Sequence, residues 1–233
     1  MIEHGHATHT GLRREHNEDN YWADAQHGLW LVADGMGGHA RGEVASAIAL
    51  DAARTAIRAG IGLADAFRRA GAAILGHPAQ RDAAAPMGST LAALKLDQFG
   101  GFEAAWVGDS RIYLWRDGAL TRLVDAHASG ATPHTTDEDD VGTPATPRKR
   151  ATQALGITPV LELGTEPVAG HCAPGMQFLL CSDGLSEELD DTRIATIVSR
   201  TDLAAQECVD HLVLAALDAG GRDNITALLV RIR

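Results

Sequence analysis

The chain has 233 residues, 45% of them hydrophobic, enough for a sizeable core in one large domain or two small ones. Twenty Lys and Arg stand against 31 Asp and Glu for a net charge of -11, which disfavours nucleic acid and anionic membrane surfaces as partners and suits cations. Cys172, Cys181 and Cys208 make no CxxC pair, so neither a zinc site nor a disulfide framework is indicated. With no signal sequence and no run of membrane-span length, the expectation is a cytoplasmic protein.

Residues 1–20 are polar, and His4, His6 and His9, spaced by two and three, read as a solvated segment rather than a metal site. The REHNED stretch gathers Arg14, Glu18 and Asp19 ahead of the next apolar run; taken alone it is a charged turn. Residues 29–33 predict a buried strand that ends at Asp34, with Gly35 next, so a carboxylate and an accessible backbone carbonyl arrive together at a sheet edge. One Asp-Gly pair by itself is more simply a turn.

Ala45, Ile48, Ala49, Ala52, Ala53, Ala56 and Ile57 follow helical spacing and predict a helix from Gly42 to about Ala59, with a second over 63–75. After the His77-Pro78 break and a polar linker, Gly88-Ser89-Thr90 opens a strand over 91–96. Strands are expected at 103–107 and 111–115, joined through Gly108-Asp109-Ser110, and Asp117-Gly118 then reads as a hairpin turn into 120–124. Residues 125–150, rich in Ala, Thr, Pro, Asp and Glu, read as an exposed, mobile loop. The run 178–181 ends in Ser182-Asp183-Gly184 and repeats the strand, acid, glycine order of Asp34. A helix over 203–219 stops at Gly220-Gly221, and Arg222-Asp223-Asn224 leads into a last strand over 225–230.

Asp34, Asp183 and Asp223 thus fall at strand edges and Asp109 in a tight turn. Carboxylates in such positions repel if they converge, and a divalent cation relieves the repulsion. Oxygen-only donors suit magnesium or manganese, and two such ions about 3.5–4 Å apart activate a bridging water against a phosphoryl group. For each Asp taken singly, a turn or cap role is as natural as a ligand role, and spacing alone does not establish convergence.

In order along the chain, LVADGMGGHARGEVAS, GSTLAAL, WVGDSRIYLWRDG, FLLCSDGL and GGRDNITALLV resemble the bacterial branch of the type 2C metal-dependent protein serine/threonine phosphatases, over about residues 11–230. The resemblance implies an α+β fold, a four-layer α/β/β/α sandwich of two antiparallel sheets flanked by helices, and one catalytic domain over 1–233 with 125–150 as a flap-like loop. It implies that Asp34 bridges two ions, magnesium or manganese, that the Gly35 carbonyl ligates one of them, and that Asp183 and Asp223 hold the other. Glu18 would reach a metal through water, and Asp19 would support coordinated waters. Arg14 matches the arginine that binds the substrate phosphate. Bacterial relatives can take a third ion, for which the matching carboxylates are Asp109 and Asp183. Arg14, Asp34, Asp183 and Asp223 are the catalytic set.

The chain also departs from that family. Met36 stands where animal members carry a histidine regarded as the general acid, and a thioether cannot donate a proton; His39 is close in sequence but equally suits a helix start. Asp-His-Ser becomes Ala126-His127-Ala128, and Thr-Arg-Ala-Leu-Gly becomes Thr152-Gln153-Ala154-Leu155-Gly156. The expected activity is hydrolysis of phosphoserine and phosphothreonine in proteins by direct attack of a metal-activated water. It would be exerted by a monomer on a phosphoprotein, opposite a bacterial Ser/Thr kinase and in type VI secretion control. The alternative is a non-catalytic module of the same fold that binds phosphoprotein, which would lose metal acids; an enzyme acting on an anti-sigma-factor antagonist would carry sensor regions.

Overall fold

A computed structural model describes residues 1–37, 41–81, 86–123 and 153–233. His39, Ala126, His127, Ala128, Thr152 and the expected loop over 125–150 lie outside the described residues. In chain order the elements are β1 (Ile2–His9), β2 (Asp19–Asp24), β3 (Leu29–Met36), α1 (Arg41–Arg58), α2 (Leu63–Gly76), α3 (Pro78–Arg81), β4 (Gly88–Ser89), β5 (Leu91–Leu96), β6 (Gly101–Val107), β7 (Arg111–Arg116) and β8 (Ala119–Arg122). They continue with β9 (Val168–His171), β10 (Gln177–Cys181), α4 (Asp183–Ser186), α5 (Asp191–Val198), α6 (Ala205–Ala219) and β11 (Ile225–Ile232).

One antiparallel sheet runs β1-β11-β10-β7-β8 and the other β2-β3-β5-β6-β9, with β4 pairing β3. Three apolar layers follow from the two-residue period of the strands. Leu31, Ala33, Leu91 and Ala93 face α1 and α2, packing on Ala49, Ala53, Phe67 and Ile74. Trp30, Val32, Ala92, Leu94, Ile112, Phe178, Leu180, Leu228 and Val230 fill the space between the sheets. Leu179, Cys181, Ala227 and Leu229 face α5 and α6, against Ile194, Val198, Val209 and Leu212. Strands buried on both faces read as continuous apolar runs instead of alternating ones, which is why LWLVA and QFLLC stand out in an antiparallel fold. The architecture is the expected α+β sandwich of two antiparallel sheets flanked by helices.

Two expectations are corrected. Residues 2–9 are not a solvated segment: they form β1, paired along its whole length with β11 from Ile2↔Ile232 to His9↔Ile225. His4 and His6 point into the edge of the sandwich, with ring centroids 5.9 Å apart, and His6 packs on Tyr21 at 4.9 Å. Nor does β3 end at Asp34. It continues because Gly35 and Met36 pair with Ser89 and Gly88 of β4. At Asp117-Gly118 the expected hairpin turn forms, both residues taking positive φ (52° and 81°) as such a turn requires.

Candidate metal centre

At one end of the sandwich the layer between the sheets changes character. Each inward-facing series leaves its apolar run and meets a polar residue one step further on: Trp30, Val32, then Asp34; Leu94, Ala92, then Thr90; Ile112, then Ser110; Phe178, Leu180, then Ser182; Val230, Leu228, then Thr226. Asp19 starts β2 directly opposite Asp34 in the β2–β3 register. This end is therefore lined with carboxylates and hydroxyls in place of methyl groups.

The acids converge. The Asp34 carboxyl is held well above the usual carboxylate range, first by burial and then by the charges of Asp19, Asp183, Asp223 and Asp109. Burial also pushes Asp19 up to about 7, and the charges of Asp183 and Asp223 add to it against hydrogen bonds from Thr226 and Ser182. Asp183 rises to about 6 through burial and the charges of Asp109, Asp223 and Glu187, while a hydrogen bond from the Asp34 carboxyl opposes the rise.

Hydrogen bonds and close backbone approaches build the frame. Asp34 donates its N–H to Thr90 Oγ1 (2.9 Å), and its carbonyl accepts from Thr90 N (2.8 Å) and Ser89 Oγ (3.1 Å). Thr90 Oγ1 and Ser110 Oγ are 2.8 Å apart, tying the residue after Asp109 to the side chain that receives the Asp34 N–H. Glu18 Oε1 accepts the Gly42 N–H at 3.2 Å, at the start of α1. A Cβ on Gly42 would lie 2.5 Å from the Glu18 carboxyl carbon and 2.7 Å from the Gly35 carbonyl oxygen, so only glycine lets α1 approach this closely. Asn224 fastens the loop that carries Arg14: its Nδ2 donates to the carbonyls of Thr10 (2.8 Å) and His16 (2.9 Å), and its Oδ1 accepts the Glu18 N–H (2.8 Å). Arg14 Nη2 donates to Asp223 Oδ2 at 2.6 Å at the rim, which holds the guanidinium above its ordinary pKa, and the charges of Glu18 and Asp34 add to this. Glu188 clamps the preceding Arg222 through both carboxylate oxygens, at 2.9 and 3.1 Å.

Every candidate taken from the sequence, Arg14, Glu18, Asp19, Asp34, Gly35, Asp109, Asp183 and Asp223, belongs to this one end, linked by these contacts and mutual charges. Met36, half-buried beside them, brings no proton. The supporting set of Ser182, Thr226, Thr90, Ser110 and Glu188 was not anticipated. For four of these, a signal existed: the inward two-residue period carried one position past each apolar run. Glu188 had none.

The acids fit a hard cation on two observations. Asp19 Oδ1 and Asp183 Oδ1 are buried with no hydrogen-bond partner. Several carboxylates are forced together where each raises the others, a cost that a divalent ion removes. Among the described residues no three His, Cys, Asp or Glu side chains form a ready-made ligand cluster. The acids reach the site singly from separate strand ends, which suits ions such as magnesium that keep much of their water shell.

The architecture, two antiparallel sheets flanked by helices with acids gathered at one end, is that of solved serine/threonine phosphatase structures. Residues 9–211 match the protein phosphatase 2C family, and the chain belongs to that family. It is 33% identical over 232 residues to the serine/threonine protein phosphatase PstP of Mycobacterium tuberculosis, covering 95% of this chain but only 43% of that relative's length. Among solved structures it is similar to PppA, described as a key regulatory component of T6SS in Pseudomonas aeruginosa, with a TM-score of 0.79, 30% identity and coverage of 99% and 97% of the two chains. The catalytic domain of PstP in complex with 2 manganese ions gives a TM-score of 0.79 at 28% identity, covering 99% of this chain and 97% of that one. No helix among the described residues is long and apolar enough to cross a membrane.

Proposed function

We propose that the chain is one catalytic domain over 1–233 that hydrolyses phosphoserine and phosphothreonine in proteins with magnesium or manganese. The observation that carries this reading is the convergence of Asp19, Asp34, Asp109, Asp183 and Asp223 at one end of the sandwich, with Arg14 at its rim. Asp34 and the Gly35 carbonyl would hold one ion; Asp34, Asp183 and Asp223 would hold a second. Asp109 and Asp183 would serve a third, while Glu18 and Asp19 would orient the water shell. When bound, such ions supply an activated water for attack on phosphorus and neutralise charge on the phosphoryl oxygens.

The chain's own groups do the rest. Arg14 offers a planar fork of N–H donors to the phosphoryl oxygens, and its exposure at the rim lets a protein-borne phosphate reach it. Asn224 fixes the Arg14 loop against the sheet end, and the Thr90–Ser110 pair fixes the backbone around Asp34 and Asp109. Met36 donates no proton, so the leaving alkoxide takes its proton from water or from a group other than this side chain.

The protein would act as a cytoplasmic monomer against a Ser/Thr kinase, and its likeness to PppA supports a place in type VI secretion control. Hydrolysis of a phosphothreonine peptide with manganese, with chelator, and after Asp183→Asn tests the chemistry. Metal-independent turnover, or full activity in the variant, would sink the mechanism. Tight manganese binding without turnover on any of several phosphopeptides would favour the phosphoprotein-binding module instead.

A further inference from the structure

Ser182 is the residue before α4, with extended backbone angles of φ -72° and ψ 168°. A serine in that position ordinarily turns its oxygen to accept an N–H from the first turn of the helix. This one makes no such bond. Its Oγ instead accepts the backbone N–H of Thr226, from β11, at 3.0 Å. Its proton then has two acceptors within reach, Asp19 Oδ2 at 2.8 Å and the Asn224 carbonyl at 3.5 Å, and the shorter contact is to the carboxylate. Ser182 is completely buried and Asp19 is 5% exposed, so water does not compete for either. The hydroxyl reaches across from the β10–β11 sheet to a carboxylate on β2, in the other sheet. Asp19 Oδ1 is left buried and without a partner. A second hydroxyl, that of Thr226, also acts on Asp19 and lies 2.7 Å from Thr8 Oγ1, which accepts Asn17 Nδ2 at 2.9 Å.

We infer that Ser182 is a positioning residue for the metal centre: it holds Oδ2 of Asp19 from across the inter-sheet space and leaves Oδ1 as the oxygen that would accept from the water shell of a bound cation. This rests on the reading of the acidic end as a metal centre. A hydroxyl that served only the fold could have capped α4 or bonded a carbonyl; this one is spent on the single carboxylate of β2 that lies opposite Asp34. A carboxylate gripped by one oxygen loses rotational freedom before an ion arrives, and such outer partners are worth about 10–100-fold in metal affinity.

The test is calorimetric titration of manganese into the whole chain, for wild type, Ser182→Ala, Asp19→Asn and the double variant, with thermal unfolding run alongside. Ser182→Ala is expected to weaken manganese about 10-fold or more, and to add little once Asp19 is already Asn. Gln177→Ala serves as control, since it removes buried hydrogen bonds to Val198 and Arg231 from the opposite end of β10; it should lower Tm and leave manganese affinity unchanged. An unchanged manganese Kd in Ser182→Ala, or the same loss in both Asp19 backgrounds, overturns the inference while leaving the metal centre standing. Wild type that binds no manganese overturns the metal centre itself and the inference with it. Should Ser182→Ala fail to fold, Ser182→Cys, a weak donor that still accepts from Thr226, takes its place with the same two outcomes.

Discussion

Two parts of the space between the sheets carry ionisable groups, and they are built on opposite terms. At the acidic end, Asp19, Asp34 and Asp183 crowd together, and burial with mutual repulsion pushes their carboxyls up. Along the edge between β1 and β2, His4 and His6 stack beside Trp30 and Tyr21, each with a buried Nδ1 that has no partner, and His6 is pushed down by burial and by His4. Burial disfavours charge on the acids and on His6 alike. The first cluster holds its acids in reach of a cation that would relieve them, whereas in the second aromatic rings pack against the imidazoles. Burial of polar groups alone therefore does not mark a site. Convergence of like charges from separate strand ends, with oxygens left over, does.

The largest expected effect comes from removing an acid. Asp183→Asn should lower kcat/KM on a phosphothreonine peptide by more than about 100-fold, beyond what partners one step removed from the metal cost, with the loss measured at saturating manganese. Arg14→Ala should cost about 10–100-fold in kcat/KM, the worth of a charge-assisted hydrogen bond to the phosphoryl group, while manganese binding by calorimetry persists. Gly42→Ala should come next. Its methyl group would press on Glu18 and the Gly35 carbonyl, costing about 1–3 kcal/mol as over-packing does and reading out as a lower Tm together with weaker manganese binding.

The pH dependence sharpens the comparison, because the two clusters have opposite signs. Asp19 and Asp183, at about 7 and about 6 against an ordinary 3.8, bind protons in the fold that the unfolded chain has released. The chelated protein should gain stability from this end as pH falls from about 7 towards 3.8, and saturating manganese should flatten or reverse that slope. His6, lowered from 6.5, binds fewer protons in the fold than in the unfolded chain, so its edge loses stability as pH falls below 6.5. His6→Phe should remove this acid limb, a change of about 2–4 °C in Tm at most for a domain of this size, and leave the slope of the acidic end intact. If the slope of the acidic end moves as well, the two clusters are not independent.

The helices and most strands were legible because their periods are strong: the pattern over 42–59 appears as α1, Arg41–Arg58, and residues 91–96 are β5 to the residue. The acids were legible through order along the chain, each following an apolar run. What the sequence hid was whatever depends on the partner. The strand β1 reads as polar because it is an edge strand whose His4 and His6 meet rings from the other sheet, and β2 hides because of its partly exposed edge position. Strand β9 is four residues long, and α5 is an eight-residue helix whose start is marked by Asp190, which accepts the Arg193 N–H as N-cap. In the sequence Ser182 stands only at the end of an apolar run, and nothing local shows that its hydroxyl crosses to Asp19.

The pairing of Ile2 with Ile232 has a kinetic consequence. Strand β11 sits between β1 and β10, so the sheet that carries Ser182 and Thr226 closes only by bringing distant parts of the chain together, a topology that folds slowly. Asp19 and Asp34 belong to one sheet, while Asp183 and Asp223 flank strands of the other. Their repulsion is met only where the two sheets dock, and a divalent ion in the refolding buffer should raise the refolding rate, read by stopped-flow fluorescence.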